Sequence, residues 1–170
     1  DALKFVDEND AGRGMIFDGR IAEDFKLNTG TWVSVGNLRA QMIAAGKGLI
    51  QDVVITGHDN EFIGAIVFPG IDYCKKMTGL NKEVKPDELI LLPALKETLL
   101  GVLNELAKKS TGSATFIRRA MFADFVLSID KGEITDKGSV NQRMVLQNHP
   151  ETVKKLYAAQ TSKDIVEVKK

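Results

Sequence analysis

A single cysteine, Cys74, stands in the 170-residue chain, so no intramolecular disulfide closes and no thiol framework holds the fold. Only two histidines are present, His58 and His149, far apart and without a cysteine partner, which is not the ligand set of a zinc site; no metal-binding residues are assigned. Net charge is missing too. Twenty-three Lys and Arg balance 23 Asp and Glu, giving +0 at pH 7, so there is no electrostatic reason to expect nucleic acid or an anionic membrane as the main partner. No apolar run reaches the roughly 18 residues of a membrane helix. The richest stretch, Leu89 to Leu106, is broken by Pro93, Lys96, Glu97, Asn104 and Glu105.

Several chemical signatures are absent as well. No Gly-x-x-x-x-Gly-Lys-Ser/Thr phosphate loop, no Gly-x-Gly-x-x-Gly fingerprint and no Gly-x-Ser-x-Gly elbow occurs. The chain has no basic-then-apolar leader and opens at Asp1 without a methionine. It reads as a cytoplasmic piece of something larger, with its true start upstream.

What is present is a globular composition, 44% hydrophobic and 27% charged, in a chain long enough to bury a core without staples. Leu3 to Val6 and Gly14 to Phe17 read as strands, closed by the Asp18-Gly19 turn dipeptide. Phe25 to Leu27 and Trp32 to Val35 predict a second hairpin through Asn28-Thr29-Gly30-Thr31. Leu38, Met42 and Ala45 predict a helix over 37–45, stopped by Gly46 and Gly48. Val53 to Ile55 and Ile63 to Phe68 are apolar and β-branched enough for buried strands, and Ile71 to Met77 suits a short helix. Leu92, Leu95, Leu99, Val102 and Leu106 form one helical stripe, with Pro93 in its first turn. Phe116 to Ile129 reads as one strand or two with a bend. Helices are expected over 140–147, with Ser139 as its cap, and over 151–159. The fold class is therefore α+β: short N-terminal β-hairpins, then a small mixed sheet packed with helices.

Two stretches exceed what a core needs. Phe17 to Leu27 with Thr29 to Val33 is either a solvated surface hairpin or a charged connector whose arginine reaches a ligand. Asp130 to Arg143 is either a turn before a capped helix or a loop whose lysine, beside glycine, projects into a neighbouring cleft. A flexible ammonium suits a developing phosphate charge.

Residues 1–7, 17–27 and 29–33, with Gly132-Glu133-Ile134-Thr135-Asp136-Lys137-Gly138, resemble the C-terminal part of adenylate-forming acyl-CoA synthetases, most closely the bacterial feruloyl-CoA synthetase branch. The resemblance runs in order from Asp1 to about Ala158. It implies a two-domain enzyme in which residues 1–19 are the tail of a large N-terminal adenylation domain and 20–170 are a mobile C-terminal lid. That enzyme would use ATP and Mg2+, bound mainly by the large domain, to form an acyl-adenylate from a small carboxylic acid, then coenzyme A to form a thioester. The fragment alone would be inactive.

By position, the resemblance gives Asp1 the ribose hydroxyls, Arg20 the nucleotide and Lys137 the catalytic charge of adenylation. Gly30, Thr31 and Trp32 fall in the loop lining the coenzyme A tunnel. Ala22 and Glu23 occupy the hinge, where the family usually carries Asp or Lys two residues after the arginine. A register two residues further on would put Ser139 at the catalytic position; Lys137 is preferred because serine supplies no positive charge. A fatty acyl-CoA ligase lid, or a non-catalytic binding module that keeps the lid fold, are the alternatives.

Overall fold

In the computed structural model, the described residues are 1–17, 19–79, 88 and 90–169. Asp18 of the expected turn and Leu89 of the apolar stretch lie outside them. The centre is a four-stranded sheet in the order β5-β6-β7-β8, built from Ile50–Thr56, Ile63–Pro69, Ile117–Phe122 and Ile165–Glu167. The β5/β6 and β7/β8 pairs are antiparallel, and β6/β7 is parallel.

Successive side chains on these strands point to opposite faces, and both faces are covered. Val53, Ile55, Ala65, Val67, Ala120 and Phe122 join one cluster with α1 (Val35–Gly46) and α3 (Pro93–Lys109). Val54, Ile66, Phe68 and Met121 join another with Val145 of α4 (Gln142–Asn148) and Leu156 of α5 (Pro150–Tyr157). A sheet covered on both faces explains why Ile63 to Phe68 is apolar without alternation.

The helical stripe behaves as its spacing predicts: Leu95 and Leu99 are fully buried, and Pro93 opens the helix. α2 covers Ile71–Thr78. α1 starts two residues before the expected position because the Asp24 carboxylate accepts from Val35 N at 2.9 Å, whereas Ser34 makes no side-chain cap. It ends on Lys47 in the left-handed region (φ 47), one residue ahead of Gly48.

Other expectations need correction. Residues 116–129 do form a single strand, β7, but only over Ile117–Phe122, because its last ladder contact is Ala123 N to Val67 O (2.8 Å), after which Phe125 turns away to stack on His149. The cap of α4 is Asn141, whose side chain accepts from Met144 N, and not Ser139. Strand β8 had no counterpart in the reading of the sequence. Glu167 draws it against β7 through Arg118 Nε at 2.9 Å, and Lys155 and Lys96 hold Asp164 just before it.

Two small hairpins precede the sheet. β1 (Leu3–Phe5) pairs with β2 (Met15–Phe17), and β3 (Phe25–Lys26) with β4 (Trp32–Val33). Phe25, Leu27 and Val33 enter the core. Every residue of β1 and β2 is exposed, and among the described residues neither strand adds to either core cluster.

Burial predicts that Leu99→Ala costs about 2–5 kcal/mol, while Leu91→Ala, at a position 58% exposed, stays within about 0.5 kcal/mol; urea unfolding of the two variants checks this. Three carboxyls are also held below their ordinary values. Burial alone would raise Glu167, but the hydrogen bonds and charges of Arg118 and Arg119 outweigh it. The Lys155 hydrogen bond, helped by the Lys155 and Lys96 charges, lowers Asp164 against burial. Burial would likewise raise Glu133, and donors from Asn148, Ser128 and His149 reverse it. A depressed carboxyl stabilises the fold above its unfolded-state value and stops doing so as pH falls through its folded-state value. Unfolding free energy therefore declines on the acid side of the ordinary carboxylate range, and Glu167→Gln makes that decline shallower. Urea unfolding repeated from neutral to acid pH reads the slope.

Candidate functional site: the linker cleft and the Lys137 hairpin

Gly19 opens the linker by lying against α1: a Cβ there would sit 2.9 Å from Gly36 Cα. Backbone bonds from Glu23 N to Arg20 O (2.9 Å) and Asp24 N to Ile21 O (3.2 Å) then close a 3-10 turn over Ile21–Glu23. That turn folds Arg20 back, so its Nη1 donates to Glu23 Oε1 at 3.1 Å, while its Nε lies 4.0 Å from Asp1 Oδ1. Ala2 N donates to Gly19 O at 2.7 Å and carries Asp1 to this place. Asp24 pins the other side of the turn to α1, a clamp across 11 residues that no local motif announces.

Asp1, Arg20 and Glu23 are thus brought together, and Ala22 sits exposed in the same turn. An open cleft of about 510 Å³ runs beside them, bordered by Lys4, Arg20, Glu23, Arg39 and Ser139. Arg39 is committed elsewhere, in a bidentate pair with Asp52 at 2.8 and 2.6 Å. Arg20 is 43% exposed on its side chain. Glu23 is only 12% exposed, so the pair is half-buried, and an incoming anion reaches the guanidinium from its open, arginine side.

Lys137 stands on a separate device. Ile134 and Val140 form an antiparallel bridge, Thr135 N donates to Ser139 O (2.9 Å), and Gly138 N donates to Thr135 O (2.8 Å). Gly138 takes φ 77, as the last residue of a three-residue hairpin loop requires. The loop puts Lys137 at an exposed apex, with no ion-pair partner among the described residues. Ser139 borders the Arg20 cleft and Lys137 does not. The Ser139 hydroxyl, though, shares a 2.7 Å hydrogen bond with Thr135 and serves the hairpin itself.

The Gly30–Trp32 loop packs on different neighbours. Asn28 N donates to Asn60 O (3.0 Å), Leu27 N to Thr31 O (2.9 Å), and Ser113 Oγ to Thr31 Oγ1 (3.4 Å). Nothing lies within 4 Å of a Cβ built on Gly30, so this face is open. Trp32 is 51% exposed, with Lys26 Nζ 5.8 Å above its ring. Cys74 is fully buried, and burial pushes its thiol up, away from nucleophilic use.

The fit to cofactors is uneven. Arg20 has five N–H donors, and Glu23 and Asp1 do not exhaust them, so it suits a nucleotide phosphate. No group of three or more His, Cys, Asp or Glu that could hold a metal ion occurs among the described residues. Among the same residues, no helix is long and apolar enough to cross a membrane.

Residues 27–161 match the protein family described as AMP-binding enzyme C-terminal domain. Among curated proteins, the chain is similar to the probable acyl-activating enzyme 16, chloroplastic, of Arabidopsis thaliana, 24% identical over 147 residues, which are 86% of this chain and 20% of that protein. A chloroplastic long-chain-fatty-acid–acyl-carrier-protein ligase of the same plant is 24% identical over 148 residues, 86% of this chain and 18% of that one. The chain spans about a fifth of the length of these relatives. Among solved structures, the adenylation domain of a carboxylate reductase from Mycobacterium chelonae superposes with a TM-score of 0.64 at 18% identity, covering 91% of this chain and 22% of that one. The corresponding domain of the carboxylic acid reductase from Segniliparus rugosus, solved with AMP and a co-purified carboxylic acid, gives 0.61 at 19% identity, covering 85% and 21%. These superpositions show a common fold of mixed sheet and helices. With the family match running through both the Gly30 loop and the Lys137 hairpin, the chain belongs to the AMP-binding enzyme C-terminal domain family.

Proposed function

We propose that this chain is the lid of an ATP-dependent acid–CoA ligase, with residues 20–170 as the lid and 1–19 as the tail of the large adenylation domain. The observation that carries the reading is the Lys137 hairpin: an exposed ammonium on a closed three-residue loop. The tail assignment draws support from the first hairpin, whose Leu3, Phe5, Met15, Ile16 and Phe17 are 43% to 63% exposed. A lone two-stranded hairpin is marginal in water, and a neighbouring domain would cover it.

In the first half-reaction, a carboxylate oxygen of the acid attacks the α-phosphate of ATP, and the bond to the departing pyrophosphate breaks. Charge builds on the phosphate oxygens, and an ammonium held nearby stabilises it more in the transition state than before. Lys137 is that ammonium. Arg20 exchanges Glu23 for the nucleotide, and Asp1, whose carboxylate has two acceptor oxygens, receives the ribose hydroxyls. Mg2+ supplies charge neutralisation on the phosphates, from the large domain. In the second half-reaction the coenzyme A thiol attacks the acyl carbon and AMP leaves. The open Gly30–Trp32 loop then faces the pantetheine arm, with Trp32 as an apolar wall.

For the acid itself, which the large domain would bind, the resemblance of residues 1–7, 17–27, 29–33 and 132–138 to the feruloyl-CoA synthetase branch favours ferulate or a related aryl acid. A second reading, a fatty acid, is favoured by the identity to the plant long-chain-fatty-acid ligase. Acid-dependent ATP–pyrophosphate exchange by the complete gene product, with ferulate and a fatty acid in parallel, separates the two. Exchange with neither acid makes the non-catalytic module the better account.

Two variants sharpen the assignment. Lys137→Ala is expected to lower adenylation about 100- to 1000-fold while leaving thioester formation from supplied acyl-adenylate intact; equal loss in both halves removes the lysine from its role. Gly30→Val is expected to slow thioester formation more than adenylation, and single-turnover assays of the two steps give the comparison.

A further inference from the structure

Beneath the Lys137 hairpin lies the one carboxylate of the described residues that is completely buried. Glu133 is 0% exposed, and both its oxygens are occupied. Oε2 accepts from Ser128 N at 2.8 Å; Oε1 accepts from Asn148 Nδ2 at 2.9 Å and lies 2.8 Å from His149 Nε2. Its backbone is engaged as well, with Glu133 N donating to Ser128 O (3.0 Å) and Asn141 N donating to Glu133 O (2.8 Å). One residue therefore joins the start of the loop, the foot of the hairpin and the junction between α4 and α5.

The junction is itself fixed to the sheet. His149 stacks on Phe125 with ring centroids 3.5 Å apart and planes 9° from parallel, and Phe125 meets Phe68 of β6 edge-on at 5.8 Å. A continuous line of contacts runs from β6 through two rings and an imidazole to Glu133, and from there up the hairpin to Lys137. A loop that needed only to be tethered could rely on apolar packing. Burying a carboxylate is expensive unless every acceptor site is met, and here three donors converge on it.

We infer that Glu133 is a positioning residue for adenylation: it fixes the foot of the hairpin so that Lys137 presents its ammonium at one place. The inference rests on the reading of Lys137 as the adenylating residue. The Ser128 backbone N–H and the Asn148 amide donate to Glu133, and against an ionised carboxylate His149 Nε2 donates too. An acceptor-only group matches these partners, and a glutamine of the same shape does not match the first two and the third together without their rearranging. Glu133→Gln turns an amide N–H₂ toward a donor and loosens the hairpin without emptying the core. A small displacement of a reacting group is enough to slow catalysis by about a hundredfold.

Two readouts on the complete gene product test this. In hydrogen exchange by mass spectrometry, Glu133→Gln should raise exchange in peptides covering 131–141 by about tenfold or more, with peptides of β5 to β7 unchanged. In the half-reaction assays, adenylation should fall by about tenfold to a hundredfold, with thioester formation from supplied acyl-adenylate within about twofold. Asn148→Ala, which removes one donor to Glu133 together with a 3.3 Å bond to Lys131 O, should move both readouts the same way, and Lys131 O accounts for any exchange change confined to residue 131 and its neighbours. Unchanged exchange over 131–141, or equal loss of both half-reactions with loss of protection in the sheet, overturns the inference. If the wild type performs no acid-dependent exchange, the ligase reading fails instead, and hydrogen exchange alone then decides whether Glu133 fixes the hairpin.

Discussion

Burial of the β5-β6-β7 sheet on both faces governs where anything else in this chain can be. Val53 to Ile55, Ile63 to Phe68 and Ala120 to Phe122 are enclosed by helices on either side, so none of these strands has room for a reacting group. Polar chemistry is pushed to the edges of the sandwich: the linker turn at Arg20, the turn at Gly30 and the hairpin at Lys137. Each is a short loop closed by its own backbone hydrogen bonds and tied to the sandwich by at least one longer contact. Asp24 ties the linker to α1, the 27–31 turn leans on Asn60, and Glu133 ties the hairpin to the α4–α5 junction.

Much of this was legible in the residues. Wherever side chains repeat over several turns or several strand positions, the sequence and the structure agree. The α3 stripe from Leu95 to Val102 and the strand Ile63 to Phe68 are such places. Disagreements fall where a distant partner decides the outcome. The cap of α1 is supplied from Asp24, eleven positions away, and β8 exists because Glu167 finds two arginines on β7. Its three residues are too few to show alternation. Ser139 looked like a helix cap and instead closes a hairpin with Thr135, since a hydroxyl bonds whichever neighbour the backbone delivers.

The site was legible in the same unequal way. The motif 132–138 marks a loop that the structure closes as a hairpin, and it lies with the Gly30 turn inside the family match over residues 27–161, whereas Arg20 lies outside that match. What the letters could not convey was the division of labour inside the motif. Glu133 and Lys137 are both charged and only four positions apart, yet one is wholly enclosed and the other stands in solvent. Strand alternation over such a tight loop does not predict that split. It arises from Asn148 and His149, which arrive from the far end of a helix.

The β1–β2 hairpin carries a consequence of another kind. Among the described residues its two strands pair only with each other, so each has an open ladder edge, and apart from Lys4 the side chains along them are apolar. An open edge with apolar side chains is a template for a further strand. At high concentration the readiest strand is the same segment of another copy. How well this chain stays dispersed is then decided less by its well-packed sandwich than by these few residues at its beginning, and by whether something shields them.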